Sequence, residues 1–346
     1  MTAAEYKGVW TLAEVHDGRV ARVSHELLTR GRQLADKRWC ELTTVVLADR
    51  VHPADLKELI QRGADVVLVV EAPALAHFLV EPQAACLVSL IERFKPEIVV
   101  AAATTTGRTL MPYVAVKVNA GLTADCTGLD IEDETGNLLQ TRPAIGGNIM
   151  ATIKTPAARP QMATVRPRST GAPDIDATRT GRIVRPPAPA TLTSRVRRLD
   201  FLPAADEHTL GEAEIVVSAG RGLKKGANVP VVAELAQALG AALGASRDAV
   251  DRGWLEYPHQ VGLSGKTVSP RLYVAVGISG AIQHLAGMQT AENIVAVNSD
   301  ADAQIFRVAD VGVVGDLFEV VPLLTKRIRE EKQKNGSRKI DGRVNL

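Results

Sequence analysis

At 346 residues the chain is long for one domain and comfortable for two, and with 46% hydrophobic residues it can bury a sizeable core. A formal net charge of +2, dispersed along the chain, argues against a nucleic-acid partner. The opening MTAAEYKGVW has no apolar h-region and no apolar run is long enough to span a bilayer, so a soluble, cytoplasmic protein without direct membrane insertion is expected.

Only 3% of the residues are aromatic, and Ala and Val carry most of the apolar mass. That composition favours α/β layers, in which Ala lets helices pack closely and Val fills parallel strands. Cys40, Cys86 and Cys126 lie far apart, with no CxxC pair and no His/Cys cluster at metal-ligand spacing. They read as reduced thiols, and no metal site or iron–sulfur cluster is expected on this chain.

In chain order, Gly8 to Val15 reads as a strand. Ser24 to Lys37 reads as an amphipathic helix with Ser24 as its N-cap. LTTVVLA is a buried strand, DLKELIQRG a helix closed by Gly63, and DVVLVVEA the next strand. A helix around QAACLVSLIERF, the strand EIVVAAAT and the helix GRTLMPYVAVKVNA follow, with Pro112 placed in the first turns of that last helix. The alternation predicts a parallel sheet with helices on both faces. From Ala124 the rhythm changes to strands joined by turns, with ETGN as a hairpin signal. Arg166 to Arg195, rich in Pro, Thr and Arg, reads as extended and partly linker-like, and a domain boundary is placed near Leu202.

The second half opens with a strand ending at Ser218, a glycine-rich turn at Gly220-Arg221-Gly222 and a helix over Val229 to Leu243. LYVAVG and NIVAVNSD are further strands, and VADVGVVGDLFEVVPLLTKRI supplies a last strand and helix. The final TKRIREEKQKNGSRKIDGR mixes both charges and reads as a solvated helix end and tail.

Polar clusters fall where loops meet helix starts, the place where open α/β sheets hold ligands. They are Arg221; Ser246 with Arg247; QVGLSGKT from Gln260; SGAIQH from Ser279 to His284; Asn298; and Asp316-Leu317. Singly, each has a blander reading as a turn, a cap or a satisfied histidine. Jointly they suit a dinucleotide. Ser246, Ser279 and glycine-turn amides suit a pyrophosphate, and Arg221 adds charge-assisted hydrogen bonds. Asn298 and Asp316 suit ribose and adenine edges. Arg247 and His284 are cations, or potential cations, beside a redox ring, where positive charge raises a flavin's potential. No GxGxxG is present in this half.

LYVAVGISGAIQHLAGM, SAGRGLKKGAN, SRDAVDRGW, QVGLSGKTVSPRLY and VADVGVVGDLFEVVPLLT together resemble the α subunits of electron transfer flavoproteins. The likeness covers the whole chain and is densest from Glu214 to Ile328. It implies α/β architecture in two domains, each a mostly parallel sheet flanked by helices. Residues 1–200 would pack on a β subunit, 201–330 would be a doubly wound FAD-binding domain, and 331–346 a basic tail. The FAD contacts it implies are Arg221, Ser246, Arg247, Gln260, Val261, Gly262, Leu263, Ser264, Gly277, Ser279, Gly280, Ala281, Ile282, Gln283, His284, Asn298, Asp316 and Leu317. Arg247 would lie over the isoalloxazine ring and favour an anionic semiquinone. Ser264 would donate a hydrogen bond near N5 and O4, and His284 would reach the O2 side. Many members of that family carry Thr at the Ser264 position and Gln at Leu263. The serine keeps the hydroxyl, whereas the leucine leaves only a backbone contact.

No covalent catalysis is implied. The chain would carry single electrons between an acyl-CoA or other flavin dehydrogenase, or the flavin of a β subunit that holds FAD or AMP, and a downstream acceptor. YKGVWTLAE, GRTLMPYVA, GLTADCT and RPAIGGNIMATI fit the first domain, the last two in the manner of anaerobe-type subunits. That likeness carries the alternative of the high-potential arm of an NADH-dependent electron-bifurcating complex that reduces ferredoxin.

Overall fold

The structure is a computed structural model that describes residues 5–144, 149–200, 210–211 and 213–341; within 335–341 it describes the backbone alone. The Ile145 to Asn148 part of RPAIGGNIMATI lies outside the described residues, as do residues 201–209 around the expected boundary. The chain divides into two compact units, Met1–Phe201 and Leu202–Leu346.

The first unit contains β1 (Val9–Ala13), β2 (Val15–His16), β3 (Arg19–Val20), α1 (Arg22–Lys37), β4 (Leu42–Ala48), α2 (Pro53–Gln61), β5 (Val66–Glu71), α3 (Val80–Phe94), β6 (Ile98–Ala102) and α4 (Thr105–Lys117). It continues with β7 (Gly121–Cys126), β8 (Gly128–Ile131), β9 (Leu138–Pro143), β10 (Met150–Ile153), β11 (Gln161–Val165) and β12 (Arg182–Val184). Seven of these strands form a parallel sheet in the order β12-β5-β4-β1-β6-β11-β7. Strand side chains alternate between its two faces. Val9 and Ala13 meet α1 and α2, while Trp10 and Leu12 meet α3 and α4. β8, β9 and β10 make an antiparallel sheet, and the β8–β9 turn carries Gly136 at φ 68°, as the ETGN signal predicts.

Two expectations about this unit are corrected. α1 begins at Arg22, so Ser24 is no cap. Its buried hydroxyl instead accepts from the Glu14 amide at 2.9 Å and fixes α1 to the end of β1. Pro112 sits in the middle of α4, because the helix starts earlier than expected, at Thr105; Thr104 caps it by accepting from Gly107 N at 3.1 Å.

The segment read as a linker is bound to this unit. Arg182–Val184 adds an edge strand beside β5. Asp65 accepts from Arg179 Nη2 at 2.7 Å, Arg32 Nη1 at 2.7 Å and Leu42 N at 2.8 Å. Burial alone would raise the Asp65 pKa, but these donors outweigh it and hold the carboxyl below its ordinary value.

The second unit contains β13 (Ile215–Ala219), α5 (Val229–Leu239), β14 (Ala242–Ala245), α6 (Arg247–Asp251), β15 (Leu272–Val276), α7 (Ile282–Leu285), β16 (Ile294–Asn298), β17 (Val311–Val314) and α8 (Leu317–Asp341). Its five strands are all parallel, in the order β14-β13-β15-β16-β17. α5 and α8 cover one face, through Leu235 and Val321 against Val217 and Val274. The other face buries Tyr273, Ala275 and Ala296 beneath Ile278, Met288 and Ile305.

The expected helix to Leu243 is two elements. Gly240, at φ 72°, closes α5 in the left-handed conformation, and Ala242–Ala245 is the edge strand β14. The chain order within this sheet is 2-1-3-4-5. The order reverses between β13 and β15, which opens a crevice at the carboxyl ends of the strands.

Candidate cofactor-binding cleft

A cleft of about 630 Å³ opens at that reversal, a size suited to a ligand-binding cleft. Its lining comes from the segments after four adjacent strands: Arg221 after β13, Ser246 and Arg247 after β14, Gly277 to Ser279 with Ala281, Gln283 and His284 after β15, and Asn298 at the end of β16. The loop from Val261 to Ser264 closes a side.

Two glycine turns let the chain bend here. Gly222 N donates to the Gly277 carbonyl at 2.9 Å. Gly277 has φ 63°, and a Cβ on it would lie 2.9 Å from the Cα of Gly222. A side chain at either position would push the β13 and β15 loops apart.

The cations are exposed and loosely held. Arg247 Nε lies 3.2 Å from Asp251 Oδ2, and Arg221 Nε lies 4.0 Å from Asp248 Oδ2, which Arg252 also contacts at 3.0 Å. Exposed pairs of this kind contribute about 0–1 kcal/mol, so each guanidinium can exchange its carboxylate for a ligand anion.

Ser264 is oriented by its neighbours. The buried Gln260 donates through Nε2 to Ser264 Oγ at 3.0 Å, and Tyr257 OH donates to the Ser264 carbonyl at 2.9 Å. Asn298 Nδ2 donates to the Ile278 carbonyl at 2.9 Å, and its Oδ1 accepts from Asp300 N at 3.0 Å.

His284, read as a cation or potential cation, is neutral near pH 7. It is 6% exposed, and burial lowers its pKa to about 4, with the Val261 carbonyl opposing the shift. Near neutral pH the ring is therefore uncharged. Nε2 lies 2.9 Å from the hydroxyl of Tyr273, a fully buried residue whose own pKa is raised by burial.

Five expected contacts lie outside the lining. Gln260 stands behind Ser264. Gly280, at φ 86°, has its Cβ direction filled by the Ile305 backbone. Ile282 points outward and is 62% exposed. Asp316 caps α8 by accepting from Phe318 N at 2.9 Å, and Leu317 is buried against Gly277. The lining also contains Gly222, Ile278, Asp248, Asp251 and Asp300, which were not singled out. Asp251 could have been found from its i,i+4 spacing to Arg247, and Gly222 from the glycine turn already noted.

The electron transfer flavoprotein domain family matches residues 9–191, and the electron transfer flavoprotein FAD-binding domain family matches residues 209–289. Similar proteins include an electron transfer flavoprotein subunit alpha from Thermoanaerobacterium thermosaccharolyticum, 46% identical over 95% of this chain and 99% of that protein. The chain belongs to the electron transfer flavoprotein α-subunit family. Protein FixB of Clostridium saccharobutylicum is 44% identical over 95% of this chain and 98% of its own length. Subunit LctC of the lactate dehydrogenase (NAD(+),ferredoxin) of Acetobacterium woodii is 39% identical over 93% and 77%.

Members of this family pair with a β subunit, and the second domain binds FAD. The residues present fit that cofactor. Among the described residues Ser246 Oγ and His284 Nδ1, both buried in the lining, find no hydrogen-bond partner, and so are open to a polar ligand. The glycine turns pack backbone against backbone and so bring the loops together at the cleft. The FAD-binding match reaches residue 289 and so includes the Arg221 to His284 loops, while Asn298, Asp316 and Leu317 lie beyond it.

Proposed function

We propose that this α subunit holds FAD in the cleft at the β13–β15 reversal and serves as a one-electron carrier. It would work between a partner flavin, on the β subunit or on an acyl-CoA or other dehydrogenase, and a downstream acceptor. The observation that carries this reading is the convergence of four strand-end loops on one cleft whose buried Ser246 and His284 atoms lack partners.

The bound flavin supplies the redox chemistry. The chain supplies the setting. Arg221 and the Ser246 hydroxyl are suited to the pyrophosphate, and Asn298 to the ribose end. Arg247 places a cation beside the ring, where it favours added negative charge. Ser264, whose oxygen already accepts from Gln260, offers its proton to the ring's N5 and O4 edge. The three free cysteines, Cys40, Cys86 and Cys126, fit a reducing compartment such as the cytoplasm.

Stepwise anaerobic reduction of the Arg247→Ala complex tests the assignment. The expected result is retained FAD with a reduced yield of the anionic flavin radical. Unchanged reduction spectra would count against the role given to Arg247.

A second reading is the high-potential arm of an electron-bifurcating complex. It is favoured by the likeness to LctC, whose enzyme's name couples NAD(+) with ferredoxin. The number of flavins per αβ pair separates the two: one for the simple carrier, two for bifurcation.

A further inference from the structure

Tyr273 lies on β15, beneath the cleft and outside its lining. It is fully buried, among Val216, Ala275 and Met288 in the core of the domain. A buried tyrosine needs a partner for its hydroxyl. It has one in Nε2 of His284, at 2.9 Å. His284 in turn lines the cleft, and its Nδ1 is buried with no hydrogen bond of its own.

A neutral imidazole has one donor nitrogen and one acceptor nitrogen. Two tautomers would satisfy the Tyr273 contact, because a hydroxyl can donate or accept. Nδ1 lines the cleft, and the flavin carbonyl that the seating given above would bring to it can only accept. It repels a bare nitrogen and favours a proton on the side facing it. With the proton there, Nε2 is bare and the phenol must donate to it.

We propose that Tyr273 is a positioning residue whose hydroxyl donates to Nε2 of His284, fixing the tautomer with the proton on Nδ1 so that His284 is a neutral hydrogen-bond donor to the FAD. The proposal rests on the seating of the flavin beside His284 given above. It changes what His284 contributes: a directed hydrogen bond in place of a full charge. Arg247 is then left as the charged group near the ring. Low pH is not required for His284 to act as a donor.

The test has two arms. Imidazole nitrogen NMR is recorded on the αβ complex labelled at histidine, with the His284 signals assigned by their loss in His284→Asn. A proton-bearing Nδ1 and a bare Nε2 are expected; the opposite tautomer overturns the proposal. In the second arm, FAD affinity is compared for wild type, Tyr273→Phe, His284→Asn and the double variant. Loss of one oriented hydrogen bond corresponds to about a tenfold weaker affinity for Tyr273→Phe. In the His284→Asn background the same change should weaken binding less than about twofold, because its effect passes through the imidazole. Full additivity overturns the proposal. If Tyr273→Phe does not fold, the wild-type tautomer still decides. If the wild-type complex binds no FAD, the seating of the flavin is wrong and the proposal falls with it; a flavin-loaded complex showing the opposite tautomer overturns the proposal alone.

Discussion

Ser246 holds a buried hydroxyl in the cleft lining that finds no hydrogen-bond partner among the described residues. Its removal should therefore spare the FAD-free protein and harm only binding. Ser246→Ala is expected to leave the unfolding midpoint of the FAD-free protein unchanged or slightly raised, and to weaken FAD binding by about tenfold, as a titration of flavin fluorescence would report. His284 carries a pH signature. Its folded pKa, about 4, lies below the ordinary histidine value of 6.5. As pH falls through 6.5 the unfolded chain takes up a proton that the folded chain refuses until about pH 4. Stability is lost across that window, by up to about 3 kcal/mol, and this group causes no further loss below it. Denaturant unfolding followed at Trp254 in the FAD-free protein should show the loss, and His284→Asn should remove it. An equal pH slope in the variant would show that His284 is not held neutral. At this scale the residue types were legible and their charge states were not. His284 was read as a cation or potential cation, and burial, which local sequence does not report, leaves it neutral near pH 7. Asp316 fits a plain helix cap equally well, and its placement at the start of α8 shows that the simpler role is served.

Elements were legible where a strand or helix ends on a strong signal and blurred where small apolar residues run on. The stretch from Val229 to Ala245 contains Ala, Leu and Val almost throughout, which fits both a helix and a buried strand. Gly240 alone divides it. Nothing lies near its Cβ direction, so Gly240→Ala isolates the backbone strain at φ 72°. A loss of about 1–2 kcal/mol in denaturant unfolding is expected, with FAD stoichiometry retained. The Arg166 to Arg195 segment was read as extended, which it is, but its attachment was not legible, for a different reason. Pro and Thr signal an irregular path, but they do not say whether that path is bound. Here Asp65 binds it, by pairing with both Arg32 on α1 and Arg179 in the segment. Limited trypsin digestion should therefore be slow at Arg179 and Arg182, and Asp65→Asn should speed it by about tenfold or more. Equal rates in the two proteins would mean that this ion network does not hold the segment down.

Across the whole molecule, the alternating strand and helix signals made two parallel sheets legible, because fully buried strands read as continuous apolar runs. The position of the cleft was legible too, since every polar cluster except the one from Gln260 follows a strand. What the sequence did not show was the strand order, which places β13 and β15 side by side with β14 outside them. That order brings Arg221, Ser246 and His284 to one cleft although they are far apart in the chain. Two of the acids that share the cleft, Asp248 and Asp300, were hidden for the same reason: their meaning depends on the neighbours the fold supplies. The most direct test of the account is a stepwise anaerobic reduction of the chain purified with its β partner, with flavin quantified in the same sample. The account predicts FAD in the second domain of the α chain, reduced one electron at a time through a red anionic radical. A protein that is colourless and cannot be reconstituted with FAD would contradict it.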